Sequence, residues 1–212
     1  MYFSYPPASL LFVHIPRTSG TSVTKALTIR YGDRHSPRDV RKHISGRTLC
    51  KTMPPEQWRL AYKFTIVRNP WSRMVSLWKF HQGSFEVERG NRSLKQLGFE
   101  GDHRRAIKAK ILRESFAWWL LEFNKQHQWI PYRFNTGRLG LVTVPQTMWL
   151  TDDLDRIFRF EDTDDIEETL GIALPWMNAS PADDYRRHYN QESREWVDRV
   201  FAPDIDRFGY DF

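Results

Sequence analysis

The feature that most constrains this chain is the stretch 10–27, an apolar run followed at once by a hydroxyl-rich turn and an amphipathic segment. Residues 10–15, Leu-Leu-Phe-Val-His-Ile, are long enough for one buried strand. Pro16 ends it, because proline cannot donate to a central ladder. Arg17 stands at the entrance to the turn Thr18-Ser19-Gly20-Thr21-Ser22. Val23, Ala26, Leu27 and Tyr31 then recur at the spacing of one helical face. The order is therefore strand, tight turn, helix N-terminus, the opening of an α/β fold.

That order makes an anion site. The first amides of a helix have no intrahelical partner, and the aligned peptide dipoles place partial positive charge there. Gly20 lets backbone approach a ligand closely. Thr18, Thr21 and Ser22 carry hydroxyl donors, and Arg17 adds a full charge with a fork of donors. A phosphate suits such a place. An ordinary capped turn has the same composition, since Ser and Thr are the usual N-caps. The Walker A spacing is absent, and the cation precedes the glycine instead of following it.

A second unit of the same kind covers residues 62–80. Residues 64–67, Phe-Thr-Ile-Val, are β-prone and apolar. Pro70 suits the first helical position, with Asn69 as cap. Trp71, Met74, Val75 and Trp78 fall on one helical face, and Ser72, Ser76 and Lys79 on another. Arg68 leaves the strand end, where open α/β sheets bind ligands, and Ser76 follows two turns into the helix. A surface arginine and a small packing residue are the bland alternative.

The remaining chain reads more coarsely. Residues 33–58 are expected to be loop apart from a short helix near 39–44, and 81–103 a loop or flap. A long, interrupted helix is expected near 104–128, and 129–150 reads as irregular. Residues 156–160 read as a strand, followed by an acidic helix stopped by Gly171. Asn190 caps a last helix that Pro203 should stop. With 212 residues and no repeat or linker, a single domain over 1–212 is expected.

The charge balance is +6, which points to an anionic partner and is spread over the chain rather than held in a basic arm. The one cysteine, Cys50, excludes an intramolecular disulfide and fits a reducing compartment. No signal peptide or membrane-spanning run is legible. A cytoplasmic, soluble protein of bacterial or viral origin is the expectation.

The segments H-I-P-R-T-S-G-T-S (His14 to Ser22) and I-V-R-N-P-W-S-R-M-V-S (Ile66 to Ser76) together resemble the nucleotide-binding elements of the sulfotransferase superfamily. The likeness is to the carbohydrate-type, family 2-like branch. Gln146 after Pro145, Arg159-Phe160-Glu161, Asn178 before Ser180, Tyr185 with Tyr189 and the terminal Phe208-Gly209-Tyr210 extend it along nearly the whole chain. The resemblance implies a P-loop-NTPase-like three-layer α/β/α fold with a mainly parallel sheet. It implies 3′-phosphoadenosine 5′-phosphosulfate as sulfuryl donor, adenosine 3′,5′-bisphosphate as product, and no metal. By residue match, Arg17, Thr18, Ser19, Gly20, Thr21 and Ser22 would hold the 5′-phosphosulfate, and Arg68 and Ser76 the 3′-phosphate. Tyr185, Arg187 and Tyr189 are adenine-pocket candidates. The family loop usually carries Lys where this chain has Arg17, whose planar fork is wider.

The implied reaction is in-line transfer of a sulfuryl group to a hydroxyl acceptor, a carbohydrate or a phenol. Arg17 would act catalytically by offsetting charge on the leaving bridging oxygen. His35 is the first candidate for the base that takes the acceptor proton, with His43 second and a Glu or Asp of 81–103 third. His14 is expected to serve structurally behind the loop. Two other classes stay open: a P-loop kinase-like phosphotransferase, and a basic module binding nucleic acid or another polyanion. The sulfotransferase reading expects no nucleic-acid partner. Oligomeric state is not legible.

Overall fold

The computed structural model describes residues 2–5, 8–32, 43–86, 101–123, 144–175 and 184–212. In chain order these form β1 (Tyr2–Tyr5), β2 (Ala8–Val13), α1 (Gly20–Tyr31), α2 (Gly46–Thr52), α3 (Pro55–Leu60), β3 (Tyr62–Val67), α4 (Pro70–Glu86) and α5 (Gly101–Arg113). They continue with α6 (Phe116–Trp118), a π turn (Trp119–Phe123), a 3₁₀ turn (Gln146–Trp149), β4 (Arg156–Arg159), α7 (Thr163–Leu170), a second 3₁₀ turn (Tyr185–His188), α8 (Gln191–Val200) and α9 (Ala202–Phe208). The protein is thus a mixed α/β chain. It divides into two compact units, Met1–Asn69 with Pro145–Ala182 and Pro70–Val144 with Asp183–Phe212. Each unit draws on two separated stretches.

The first unit holds the sheet, in the order β1-β2-β3-β4. β2, β3 and β4 are parallel, and β1 adds an antiparallel edge. Phe12, Phe64, Ile66 and Phe158 project from one face into a core with Val23, Ala26 and Leu27 of α1 and Ile166 and Leu170 of α7. On the other face Leu11, Val13, Thr65 and Val67 are also buried. Burial of both faces explains why β2 and β3 read as nearly continuous apolar runs. α1 ends at Gly32, whose left-handed φ of 78° no other residue would adopt as cheaply. Asp162 caps α7 by accepting from the Asp165 N–H, and Gly171 stops it.

The second unit is helical. Trp71, Met74, Val75 and Leu77 form the buried face of α4, while Ser72, Ser76 and Lys79 are half-buried. The Trp71 indole donates to Asp198 of α8 at 2.8 Å, and the Tyr189 hydroxyl donates to the Trp71 carbonyl at 2.9 Å. Trp119 is fully buried against Phe116. The Asn190 side chain and Ser193 form a reciprocal capping box that starts α8.

Four expectations are corrected. Residues 81–86 and 101–103, read as part of a loop or flap, belong to α4 and α5. Residues 2–5, read as a lead-in, form β1, because Tyr-Phe-Ser-Tyr is β-prone and an edge strand needs only one partner. The stretch 46–58, read as loop, holds α2, capped by the Ser45 hydroxyl, and most of α3, started by Pro55. Pro203 does not stop the last helix but opens another, α9, where its missing N–H costs nothing. The short helix expected at 39–44 lies mostly outside the described residues.

Candidate anion site at the ends of β2 and β3

Parallel pairing brings two turns to one edge of the sheet. Val13 pairs with Thr65, so the chain after β2 and the chain after β3 leave side by side. The first turn carries Arg17, the second Arg68.

The β2–α1 turn is wound by two left-handed residues that are not glycine, Arg17 at φ 70° and Ser19 at φ 64°. Each costs roughly 1–2 kcal/mol against a right-handed conformation. A left-handed residue beside right-handed ones turns successive N–H groups toward one point, a concavity that suits an anion. Ser19 makes no side-chain cap on α1. The first amides of a helix point outward from its N-terminus, here toward the turn. The Thr18 hydroxyl donates to the Ile15 carbonyl at 2.9 Å, fully buried, and so braces the turn from inside. Thr18 can offer an anion only its backbone. Ser22 is buried in the first turn of α1, Thr21 is exposed, and the Thr24 hydroxyl folds back onto the Gly20 carbonyl.

Gly20 is required by its neighbour. A Cβ built there would lie 1.8 Å from Nε2 of His14, which is itself buried. His14 stacks on Phe12 and meets the His43 ring edge-on at 4.4 Å. His43 Nδ1 donates to the His14 carbonyl at 3.0 Å. Because a carbonyl only accepts, Nδ1 of His43 carries the proton of this bond. His14 is therefore a floor beneath the turn.

Burial lowers the Arg17 guanidinium to about 10, so the group stays charged at neutral pH but is partly desolvated. Arg68 is held from several sides. Its Nη1 donates to the Arg17 carbonyl at 3.4 Å, and its guanidinium lies 4.1 Å from the Phe160 ring centroid. Its N–H donates to Oε1 of Gln146 at 2.9 Å, while Nε2 of Gln146 donates back to its carbonyl at 2.8 Å. The next amide, of Asn69, donates to Glu161 at 2.8 Å.

The structure therefore brings Arg17, Thr18, Ser19, Gly20, Thr21, Ser22 and Arg68 to one edge. Ser76 lies on α4 of the second unit. His35 lies outside the described residues, as do Asn178 and Ser180. Gln146, Phe160 and Glu161 are the residues to which the sequence alone assigned no role. Their only signal was a place in the wider resemblance. Among the described residues no group of His, Cys, Asp or Glu is arranged to hold a metal ion. No helix among them is long and apolar enough to cross a membrane.

A protein-family model described as "Sulfotransferase family" matches residues 1–135, a span that includes the β2–α1 turn, Arg68 and Ser76. Nothing among the curated proteins or the solved structures matches the chain.

Proposed function

This chain belongs to the sulfotransferase family, in its family 2-like branch, and on that premise we propose that it uses 3′-phosphoadenosine 5′-phosphosulfate to sulfate a hydroxyl acceptor, a carbohydrate or a phenol. The observation that carries the donor assignment is the pair of cationic turns at one sheet edge, with Arg68 hydrogen-bonded to the carbonyl of Arg17. The donor set fits the group. A nucleotide with phosphate at both 3′ and 5′ positions needs two anion cradles, and the two turns offer them.

In this reading Arg17 and the backbone N–H groups of 18–22 hold the 5′-phosphosulfate. Arg68 and Ser76 hold the 3′-phosphate. When bound, the donor supplies the sulfuryl group that passes in line to the acceptor oxygen. Arg17 contributes electrostatically: a guanidinium already partly desolvated meets developing negative charge with less reorganisation. Positioning supplies much of the rest, as in phosphoryl transfer. His35 takes the acceptor proton, with His43 the alternative. No metal takes part. The whole chain is read as one P-loop-like three-layer domain. The setting is cytoplasmic.

The test is a donor-dependent screen of hydroxyl acceptors by mass spectrometry, scoring the gain of one SO₃. Product that forms without the sulfuryl donor, or forms from ATP instead, would sink the proposal.

A further inference from the structure

Arg68 is one residue past the end of β3, where the ladder to β4 stops at Val67 and Arg159. A residue there would normally have a loose backbone. Instead, the Gln146 amide bonds both its N–H and its C=O, the pattern a neighbouring strand would give. Gln146 comes from 78 positions along the chain and is wholly buried. In the structure it presents no surface to a nucleotide. The guanidinium beyond it is set in turn by the Phe160 ring and the Arg17 carbonyl. A long arginine is a precise anion ligand only when its stem is fixed, because its rotamer freedom is otherwise lost on binding.

We propose that Gln146 is a positioning residue for the donor site, acting through Arg68: its side-chain amide stands in for the missing strand and aims the guanidinium. This rests on the donor reading above. A buried glutamine that only satisfied local backbone would stabilise the fold without linking it to anion affinity.

The distinguishing experiment is a double-mutant cycle on the full chain, with adenosine 3′,5′-bisphosphate titrated calorimetrically into wild type, Gln146→Ala, Arg68→Ala and the double variant. Loss of the two bonds should weaken binding about tenfold in Gln146→Ala. Arg68→Ala should lose roughly tenfold to a hundredfold, the range for a charged hydrogen bond. The double variant should bind within about twofold of Arg68→Ala, because a residue acting through another adds nothing once that other is gone. Additive losses, or wild-type affinity in Gln146→Ala, overturn the inference. Should Gln146→Ala fail to fold, Gln146→Glu replaces it. A protonated carboxyl can both accept and donate, as the amide does, whereas a carboxylate only accepts. The affinity of Gln146→Glu relative to wild type must then recover as pH falls, and a ratio that ignores pH counts against the proposal. If wild type itself binds no bisphosphate, the donor reading fails and the inference falls with it.

Discussion

Replacing Arg17 by methionine should make the ligand-free protein more stable while it disables donor binding. Burial lowers the Arg17 guanidinium from its ordinary value to about 10. At about 1.4 kcal/mol for each pKa unit, holding that charge costs the folded state roughly 3 kcal/mol. The direction follows from linkage. From about pH 10 up to the ordinary arginine range the unfolded chain carries the proton and the folded chain has lost it. The Arg17 contribution to stability therefore rises with pH across that window, and the full penalty applies everywhere below it. Methionine keeps much of the apolar stem and removes the charge. It also keeps a side chain at φ 70°, so backbone strain is common to both proteins and cancels. The expected gain is about 1–3 kcal/mol at neutral pH, the lower figure allowing for the part of the side chain that reaches water. At this chain length that raises Tm by roughly 2–4 °C per kcal/mol. Urea melts at pH 7 read the stability, and a parallel melt with excess adenosine 3′,5′-bisphosphate reads the ligand. Wild type should gain roughly 3 kcal/mol at a hundred times Kd, and the variant much less. A ligand-free Arg17→Met that is less stable than wild type would refute the claim that this charge is held at a cost for the sake of an anion.

Gly20→Ala should cost about 1–3 kcal/mol and weaken bisphosphate binding, because its methyl would enter the His14 ring. His14→Ala in the same chain should recover part of that loss, and thermal melts of the cycle would show it. Ser19→Gly should raise stability by up to about 1 kcal/mol by relieving the left-handed φ of 64°, with donor affinity nearly unchanged. Tyr189→Phe removes the hydroxyl bond to Trp71 and should cost about 1 kcal/mol at pH 7, read by urea melts. Burial raises the Tyr189 phenol well above 10, so the unfolded chain ionises first, and wild type loses that advantage as pH climbs past about 10. The phenylalanine variant should therefore narrow the gap in alkaline melts.

The sheet edge and its two turns were legible because local signals agree there. Residues 10–15 are apolar and β-prone, Pro16 and Pro70 mark the two boundaries, and Gly20 marks the close approach. Helix ends were equally local, as at Gly32, Asp162, Gly171 and Asn190. β1 was missed because four residues before a double proline carry too little pattern to show a partner. α2 and α3 were missed because they are short and mostly exposed, so no apolar stripe marks them. Pro203 is compatible with a stop or a start, and only the chain beyond it decides. In the site, the turn residues followed from sequence order alone. The residues that secure Arg68 did not, since Gln146 lies 78 positions away and Glu161 92 from the amide it holds. A glutamine or glutamate used in this way looks, in sequence, like any surface residue.

The central claim is that the turns carrying Arg17 and Arg68 together hold a nucleotide bearing phosphate at both ends of its ribose. Calorimetric titration of the wild-type chain in the presence of a chelator, with adenosine 3′,5′-bisphosphate and adenosine 5′-phosphate compared side by side, tests it most directly. The account predicts that the bisphosphate binds at least about tenfold more tightly, as one added charge-assisted contact requires, and that Arg68→Ala removes most of the difference. Equal affinity for the two nucleotides, or a preference that survives Arg68→Ala, would contradict it.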